Sequence, residues 1–434
     1  MSDIWTVDEH LADILKAVGP LDPIELQLLD AQDCVLTEDV TAPVALPPFD
    51  NSSMDGYAVR TTDIEGASEE YPAVLTVVGD IAAGAGELPA VGPGQAARIM
   101  TGAPLPPGAE AVVPVEWTDG GTGAGPAAAM APHSSAPQAL GGEVRVHRPA
   151  RPRQHVRDRG SDLAAGTLAL RAGTVLGPSH IGLLAAIGRA TVPVRPRPRV
   201  VVLSTGSELA QPGEALGPGQ IHDSNSFALT AAVRAAGGVP YRVATVADDA
   251  ATLRATLEDQ LIRADLVLTS GGVSVGAYDV VKEALTGLDD TVGGVEFRRL
   301  AMQPGKPQGF GLVGADRTPL LALPGNPVSS YVSFELFVRP ALRAMAGHAG
   351  IHRPRARARL DSDRDLPSPA GKRQYLRGAH TPPPPGETTG TVTPLGGPGS
   401  HLLGALARAD ALIEIPEDVT SVSPGAELDV VLLT

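Results

Sequence analysis

Short loops rich in Ser, Thr, Asp, Asn and Gly follow four of the strands that the sequence predicts. They occupy residues 204–208, 248–249, 270–276 and 324–329. In an open parallel sheet the carboxyl ends of the strands lie at one edge, and ligands bind there. Glycine lets backbone N–H groups approach a ligand closely, and the helix N-termini that follow such loops suit an oxyanion. The four loops therefore predict a site for a small phosphorylated anion.

Three carboxylates fall close to these loops. Glu208, Asp248 and Asp279 each follow a strand at the same predicted edge. One or two of them would hold Mg²⁺ together with phosphate oxygens and water, and the metal would offset the repulsion between carboxylates and an anionic substrate. Helix capping is the alternative role for Asp248 and Asp279. Lys306, one of few lysines, lies in a Pro-Gly-Lys-Pro turn and would supply positive charge.

A competing motif lies in the third loop. Residues 272–276 read Gly-Val-Ser-Val-Gly and match the nucleophile elbow of α/β-hydrolases, with Ser274 as the nucleophile. No HGGG-type oxyanion segment precedes it, and every downstream histidine lies beyond residue 346. The H-E-x-x-H, C-x-x-C and P-loop motifs are also absent from the sequence. A serine hydrolase is therefore the weaker alternative.

The elements that must position these residues alternate between strand and helix over 196–346, after an Arg-Pro-rich linker at 195–199. The run VVVLSTG is typical of a buried strand, and SFALTAAVRAAGG of a helix capped by Ser224 or Asn225. The stretch VEFRRLAMQPGKPQGFGLV predicts a hairpin. This alternation indicates a doubly wound α/β domain.

The remaining chain carries different patterns. Residues 7–18 predict a helix, 24–40 a helix and then a strand, and 71–117 several short strands. Residues 119–142 are almost all small or Pro, and their composition is typical of a loop. Short strands and turns over 347–434 predict a small β-barrel.

Composition limits the classes of function. The net charge of −15 argues against a nucleic-acid partner, and no apolar run is long enough to cross a bilayer. The single cysteine, Cys34, excludes an internal disulfide and a thiolate metal cluster within one chain. The acidic first residues lack the basic and apolar parts of a signal peptide. We therefore expect a cytoplasmic protein without a membrane or nucleic-acid partner.

A set of motifs in fixed order resembles the molybdopterin molybdotransferases, the family of bacterial MoeA and the E domain of gephyrin. The first is FDNSSMDGYAVR at 49–60. The others are RIMTGAP, RGSD, STGSEL, TSGGVSVG, PGKP, LPGNPVS and GSH at 98–104, 159–162, 204–209, 269–276, 304–307, 323–329 and 399–401. Together they cover nearly the whole chain.

The resemblance implies four parts and an elongated homodimer. A discontinuous N-terminal domain would comprise 1–50 and 152–195, with an inserted β domain at 51–151. A molybdopterin-binding α/β domain at 196–346 and a C-terminal β-barrel domain at 347–434 would follow. The active cleft would lie between the α/β domain of one subunit and the inserted domain of the other.

The resemblance also implies the reaction. Mg²⁺ would help water to cleave the phosphoanhydride of adenylyl-molybdopterin, AMP would leave, and the dithiolene sulfurs would capture molybdate. The metal would be held by Asp55, Glu208 and Asp279. The catalytic residues would be Asp55, Thr101, Glu208, Asp248, Asp279 and Lys306. Molybdopterin would contact Thr205, Ser270, Gly271, Gly272, Ser274, Gly305, Pro324, Gly325 and Asn326. Molybdate would contact Lys306, Pro307, Ser329, Arg377 and Ser400, whose cationic and hydroxyl groups suit a dianion.

Two positions depart from the family pattern. Gln303 and Arg299 stand where lysines are frequent, which removes one positive charge near the substrate. The α/β domain also resembles that of the enzyme that adenylylates molybdopterin, and the homologous domain of gephyrin clusters receptors. A molybdopterin adenylyltransferase-like enzyme and a non-catalytic scaffold paralogue are therefore alternatives, and an adenylyltransferase is also the expected upstream partner. The sequence leaves open whether the anion is molybdate or tungstate, what the 119–142 loop does, and whether a second paralogue shares the role.

Overall fold

The fold is taken from a computed structural model, which describes residues 4–123, 125–128, 142–243, 249–271 and 294–433. Its largest sheet has seven strands. In spatial order these are Ile4–Trp5, Val295–Leu300, Pro307–Val313, Thr318–Leu323, Leu266–Ser270, Arg199–Ser204 and Val239–Arg242. The last four run parallel to one another, and the hairpin of Val295–Leu300 and Pro307–Val313 is antiparallel. The predicted doubly wound α/β domain and its hairpin are confirmed.

Both faces of this sheet are covered, which explains the continuous apolar run in its central strands. Val200 and Val202 join one hydrophobic core, whereas Val201 and Leu203 join another on the opposite face. The helix Ala250–Leu261 packs on the second face through Leu253 and Leu257. The first face is covered by Val7–Ala17, Asn225–Ala235, Pro327–Ser333, the π-helical turn Phe334–Val338, and Arg339–Met345.

Residues 4–18 contact this sheet. Strand Ile4–Trp5 pairs in parallel with Val295–Leu300, and Val7, Ile14 and Val18 belong to the core of the first face. The predicted helix is confirmed at Val7–Ala17, where Thr6 and Glu9 form a capping box. The resemblance implied that this segment shares a discontinuous domain with residues 152–195, whereas its core contacts lie in the α/β domain and Asp8 pairs with Arg373 of the barrel. The domain bounds as a whole stay a prediction.

A second core is built from two distant stretches of the chain. Strands Ile24–Gln27 and Val35–Leu36 flank Thr191–Arg195, and Val40–Thr41 pairs with Leu168–Leu170. Helix Pro178–Ala186 adds Leu184 to this core. The helix predicted at the start of 24–40 was wrong. Residues Ile24–Gln27 form a strand because they pair with Thr191–Val194, which lies too far along the chain for a local pattern to reveal.

The inserted segment forms a five-stranded sheet. Its strands in spatial order are Glu143–Val146, Ala73–Ile81, Gln95–Ile99, Gly56–Val59 and Ala111–Pro114. Short 3₁₀ turns lie at Thr61–Ile64 and Val115–Trp117, and the strand Asn51–Ser52 pairs with Val156–Arg157. Gly56 has no room for a side chain, because a Cβ there would lie 2.0 Å from the carbonyl oxygen of Val113. The short strands predicted over 71–117 are confirmed.

The C-terminal segment closes into the predicted barrel. Its strands are, in order around the barrel, Arg373–Thr381, Gly390–Pro394, Arg355–Leu360, Glu427–Leu432 and Ala411–Ile415, and the last pairs with the first. Leu366–Pro367 pairs with Ser421–Val422, and Leu403–Leu406 is a short helix. Strand Met302–Gln303, from the α/β hairpin, extends the sheet by pairing with Arg373–Gln374. Among the described residues, no helix is long and apolar enough to cross a membrane.

Candidate active site

A cavity of about 620 Å³ opens at the carboxyl edge of the parallel strands. Strands Arg199–Ser204, Leu266–Ser270 and Thr318–Leu323 end at it, as the sequence predicted for this edge. The predicted site residues that line it are Thr205, Glu208, Ser270, Gly271, Pro307, Pro324, Gly325, Asn326 and Ser329. The structure therefore brings together residues separated by more than a hundred positions in the chain.

The three loops around this cavity pack directly on one another. The N–H of Thr205 donates to the carbonyl of Ser270 at 3.3 Å, and the N–H of Gly271 donates to that of Leu323 at 3.2 Å. A Cβ at Gly271 would lie 2.9 Å from the carbonyl oxygen of Thr205, and Gly271 has a φ of +101°. Only glycine combines this close approach with a left-handed backbone conformation.

Glu208 places its carboxylate inside the loop that carries it. A Cβ at Gly206 would lie 2.6 Å from Oε2 of Glu208, so the carboxylate occupies space that a side chain at Gly206 would claim. Glu208 lines the cavity together with the hydroxyl-bearing Thr205 and Ser270. This set of oxygen donors suits a small hard cation such as Mg²⁺. In the described part of the chain, no three His, Cys, Asp or Glu residues are grouped as a ready metal site.

Asp223 and Asn225 also line the cavity. No role was predicted for Asp223, and only helix capping was predicted for Asn225. Ser224 is the N-cap of helix Asn225–Ala235 but makes no side-chain capping bond. Asp223 performs this function, because its Oδ1 accepts the N–H of Ser226 at 3.0 Å. The signal was available in the sequence, since Asp is a strong capping residue one position earlier than expected.

The turn that contains Lys306 is held in place by hydrogen bonds from the side chain of Gln308. The side-chain amide of Gln308 donates to the carbonyl of Gly305 at 2.7 Å and to Oγ of Ser333 at 2.6 Å. Gly305 is buried, whereas the side chain of Lys306 is exposed. Pro307 lines the cavity, and neither Gly305 nor Lys306 is among the residues lining it. The rigid turn thus presents one exposed cation next to the cavity.

Gln303, the residue in place of a frequent lysine, has a structural partner. Its Oε1 accepts a hydrogen bond from Nε2 of Gln374 at 3.2 Å, where strand Met302–Gln303 meets the barrel. Gln374 is only 2% exposed. A neutral amide pair therefore joins the α/β hairpin to the barrel strand that carries Arg377.

Arg377 is buried without a carboxylate partner among the described residues. It is 1% exposed, and its Nη2 donates to the carbonyl of Gly397. Its Nε and Nη1 are buried and have no hydrogen-bond partner in the described part of the chain, and burial lowers the pKa of this guanidinium. The loop that follows Gly397 reaches the cavity, because the carbonyl of Ser400 accepts the N–H of Val328 at 3.0 Å and His401 lines the cavity. Of the predicted molybdate residues, Pro307 and Ser329 line the cavity, whereas Lys306, Arg377 and Ser400 are not among its lining residues.

Asp55 and Thr101 meet in the inserted β domain. Oδ1 of Asp55 accepts the backbone N–H of Thr101 at 2.6 Å and its hydroxyl at 2.8 Å. Both residues are exposed, and neither is among the residues lining the cavity of the α/β domain. The structure thus pairs the two residues, while the active site at a subunit interface stays a prediction.

Four predicted site residues, Asp248, Gly272, Ser274 and Asp279, lie outside the described residues. The proposed hydrolase elbow and two of the four carboxylates implied for catalysis are therefore predictions from sequence alone. Asp249, the neighbour of Asp248, caps the helix Ala250–Leu261, because its side chain accepts the N–H of Thr252 at 2.7 Å.

These features define a multidomain α/β and β protein with a cavity, lined by hydroxyls, glycines and a carboxylate, at the carboxyl edge of a parallel sheet. Its family follows from comparison with known proteins. Residues 5–188 match the MoeA N-terminal region (domains I and II), 201–344 a probable molybdopterin binding domain, and 359–433 the MoeA C-terminal region (domain IV). The chain belongs to the MoeA family of molybdenum cofactor biosynthesis proteins.

Similar proteins cover its whole length. Molybdopterin molybdenumtransferase 2 of Mycobacterium tuberculosis H37Rv is 47% identical over 99% of this chain and 100% of its own. Molybdopterin molybdenumtransferase of Bacillus subtilis is 32% identical over 94% of this chain and 89% of its own. The crystal structure of a molybdopterin biosynthesis MoeA protein from Pyrococcus horikoshii superposes with a TM-score of 0.73 at 32% identity, covering 100% of both chains. These likenesses confirm the family that the motifs indicated.

Proposed function

We propose that this chain is a molybdopterin molybdenumtransferase that hydrolyses adenylyl-molybdopterin and inserts molybdate into the dithiolene, releasing AMP. The cavity of about 620 Å³ at the strand ends carries this proposal, because its loops combine hydroxyls, glycines and a carboxylate. The named relatives at up to 47% identity support the same activity. A cavity of this size suits a small ligand rather than a polymer.

The phosphate groups of the substrate would lie against the hydroxyls of Thr205, Ser270 and Ser329. Ser270 and Ser329 are 2% and 4% exposed, so their hydroxyls act in an environment with little water. Hydrogen bonds to a charged phosphate are strong under such conditions. Asn326 and the glycines of the loops shape the cavity without adding bulk. These residues would bind and orient the phosphoanhydride.

Glu208 would hold Mg²⁺, together with Asp279 and with Asp55 of the second subunit. When bound, Mg²⁺ polarises a phosphoanhydride and neutralises charge on the leaving phosphate. Gly206 gives the Glu208 carboxylate its room in the loop. Asp248 would orient the water or the nucleotide.

The molybdate anion would lie near Arg377. Because an arginine stays protonated in proteins, its burial without a carboxylate partner leaves a positive charge that an anion would stabilise. The unpartnered Nε and Nη1 atoms provide two donors of the kind that bind an oxyanion. Ser400, Pro307 and the exposed cation of Lys306 would complete this pocket.

A homodimer would bring Asp55 and Thr101 of one subunit opposite the cavity of the other. Within one chain these two residues do not line that cavity, and the dimer would supply them. We further propose a cytoplasmic location and an adenylyltransferase as the enzyme that delivers the substrate. The Gln303–Gln374 pair is neutral. Lys306 and Arg377 would therefore supply the positive charges that face the substrate.

The proposal is tested by measuring AMP binding calorimetrically with and without Mg²⁺ for the wild type and Glu208→Gln. We expect Mg²⁺ to raise the affinity for AMP in the wild type, and expect Glu208→Gln to remove that increase. Glu214→Gln is the matched control, because Glu214 is exposed, lies outside the cavity lining and accepts a backbone N–H at 2.9 Å. An affinity for AMP that is the same with and without Mg²⁺ in the wild type would contradict the role of Glu208.

A further inference from the structure

The side chain of Asn225 connects two loops of the cavity. Its Nδ2 donates to Oγ of Ser270 at 2.9 Å and to the carbonyl oxygen of Gly325 at 2.7 Å. These partners lie 45 and 100 positions away in the chain. A side-chain amide has two N–H hydrogens, so this geometry uses both of them and fixes the orientation of the group.

Asn225 is itself held in place by the helix that it begins. Oδ2 of the buried Asp223 accepts the hydroxyl of Ser226 at 2.6 Å, and Oδ1 accepts the hydroxyl of Ser204 at 3.3 Å. Leu229 and Val233 of the same helix are buried against the sheet. The helix N-terminus that carries Asn225 is therefore held rigidly beside the end of strand Arg199–Ser204.

The backbone of the two loops that Asn225 joins must be restrained by groups outside the loops. Gly271 and Gly325 approach each other closely, since a Cβ at Gly325 would lie 3.5 Å from Cα of Gly271. Glycine has the greatest backbone freedom of any residue, so loops with it hold one conformation only when other groups restrain them. The side-chain amide of Asn225 also occupies one acceptor site of the Ser270 hydroxyl, so the hydroxyl hydrogen can donate to a ligand.

We propose that Asn225 is a positioning residue that orients the Ser270 hydroxyl and holds the Gly325 loop for phosphate binding. This inference rests on the proposed function, because it assigns the phosphate of the substrate to these two loops. Asn225 acts through Ser270 and Gly325, and its effect on a phosphate ligand follows from the two hydrogen bonds. Without these two bonds the loops would have to be ordered when the ligand binds, and we expect this to weaken phosphate binding about tenfold.

Pyrophosphate titrations of the wild type, Asn225→Ala, Ser270→Ala and the double variant test this inference, with melting temperature recorded for each. We expect Asn225→Ala to bind pyrophosphate about tenfold more weakly. In the Ser270→Ala background the same change should have a smaller effect, because one of its two partners is already gone. The matched control is Arg234→Ala, an exposed position in the last turn of the same helix.

Hydrogen exchange separates positioning from simple loss of stability. Asn225→Ala should raise exchange in peptides covering Leu266–Gly271 and 321–326 and leave the helix around Leu229 unchanged. Equal pyrophosphate affinity and equal exchange in wild type and variant would overturn the inference and leave the proposed function intact. A uniform rise in exchange through the helix would also overturn it, because Asn225 would then only stabilise the fold. A wild type that binds no pyrophosphate would instead contradict the proposed function, and the inference with it.

Discussion

The pairing of Asp55 with Thr101 allows charge and geometry to be tested separately. Both hydrogen bonds from Thr101, at 2.6 and 2.8 Å, end on the same atom, Oδ1 of Asp55. In Asp55→Asn the side-chain carbonyl oxygen replaces Oδ1 and accepts the same two bonds, while the negative charge is lost. Asp55→Ala removes both the bonds and the charge. The two variants therefore differ only in whether Thr101 stays anchored.

The expected effect on stability is small. Hydrogen bonds to a charged acceptor contribute about 1.5–3 kcal/mol when buried. Asp55 and Thr101 are exposed, and solvent screening reduces this to about 1 kcal/mol for the pair. We therefore expect Asp55→Ala to lose about 1 kcal/mol in the free energy of unfolding and Asp55→Asn to lose almost none. Denaturant titration measures both values.

The expected effect on activity is large in both variants. If Asp55 contributes its charge to the metal and substrate in the dimer, either change should lower AMP release on the order of a hundredfold. Asp63→Asn is the matched control, because Asp63 lies in the same inserted domain and accepts the N–H of Gly94 at 3.0 Å. Wild-type activity in Asp55→Asn together with reduced activity in Asp55→Ala would refute the reasoning, since Asp55 would then serve only to anchor Thr101.

Three further perturbations follow from the structure. Gly271→Ala should destabilise the fold by about 1–2 kcal/mol through its positive φ and weaken pyrophosphate binding, because the new Cβ would lie 2.9 Å from the Thr205 carbonyl oxygen; unchanged melting and affinity would contradict this. Burial and the nearby Arg298 lower the pKa of His10 to about 3. Below pH 6.5 the unfolded chain therefore binds a proton that the folded chain does not bind, and the free energy of unfolding rises with pH. Wild type should lose about 2 kcal/mol between pH 7 and 5 relative to His10→Phe, as measured by urea unfolding at each pH. Arg377→Met should abolish molybdate binding in calorimetry while stability changes by less than about 1 kcal/mol, because it replaces a buried charge that lacks a carboxylate partner.

Local patterns were sufficient for the central sheet and the loops at its edge. The run Val200–Leu203 was predicted as a buried strand, and its alternate side chains enter two separate cores. The loop that follows this strand was predicted to reach the ligand-binding edge of the sheet, and its Thr205 and Glu208 line the cavity there. These features depend on residues near one another in sequence, so periodicity and turn chemistry reveal them.

Features that depend on distant partners were missed. Ile24–Gln27 is a strand because of Thr191–Val194, and the first helix packs on the α/β sheet because Ile4–Trp5 pairs beside the hairpin. Asn225 was assigned to helix capping, whereas its amide joins two loops up to 100 positions away. Tertiary contacts of this kind override local propensity and leave no periodic signal.

The roles of Asp55 and Arg377 were predicted from the motif resemblance alone, because periodicity and composition do not indicate them. The segment with Asp55 carries no pattern that assigns it a function, and Arg377 is one arginine among many in the barrel. The structure adds that Asp55 holds Thr101, and that Nε and Nη1 of Arg377 are buried without a partner. Their catalytic and molybdate-binding roles stay predictions, as do those of Asp248, Ser274 and Asp279.

The most direct test incubates the purified protein with adenylyl-molybdopterin, Mg²⁺ and molybdate, and follows AMP release together with molybdenum bound to the pterin. The account predicts that AMP release depends on Mg²⁺ and is coupled to molybdenum incorporation, and that Glu208→Gln suppresses both. A folded protein that releases no AMP and incorporates no molybdenum would contradict the proposed activity and favour a non-catalytic paralogue.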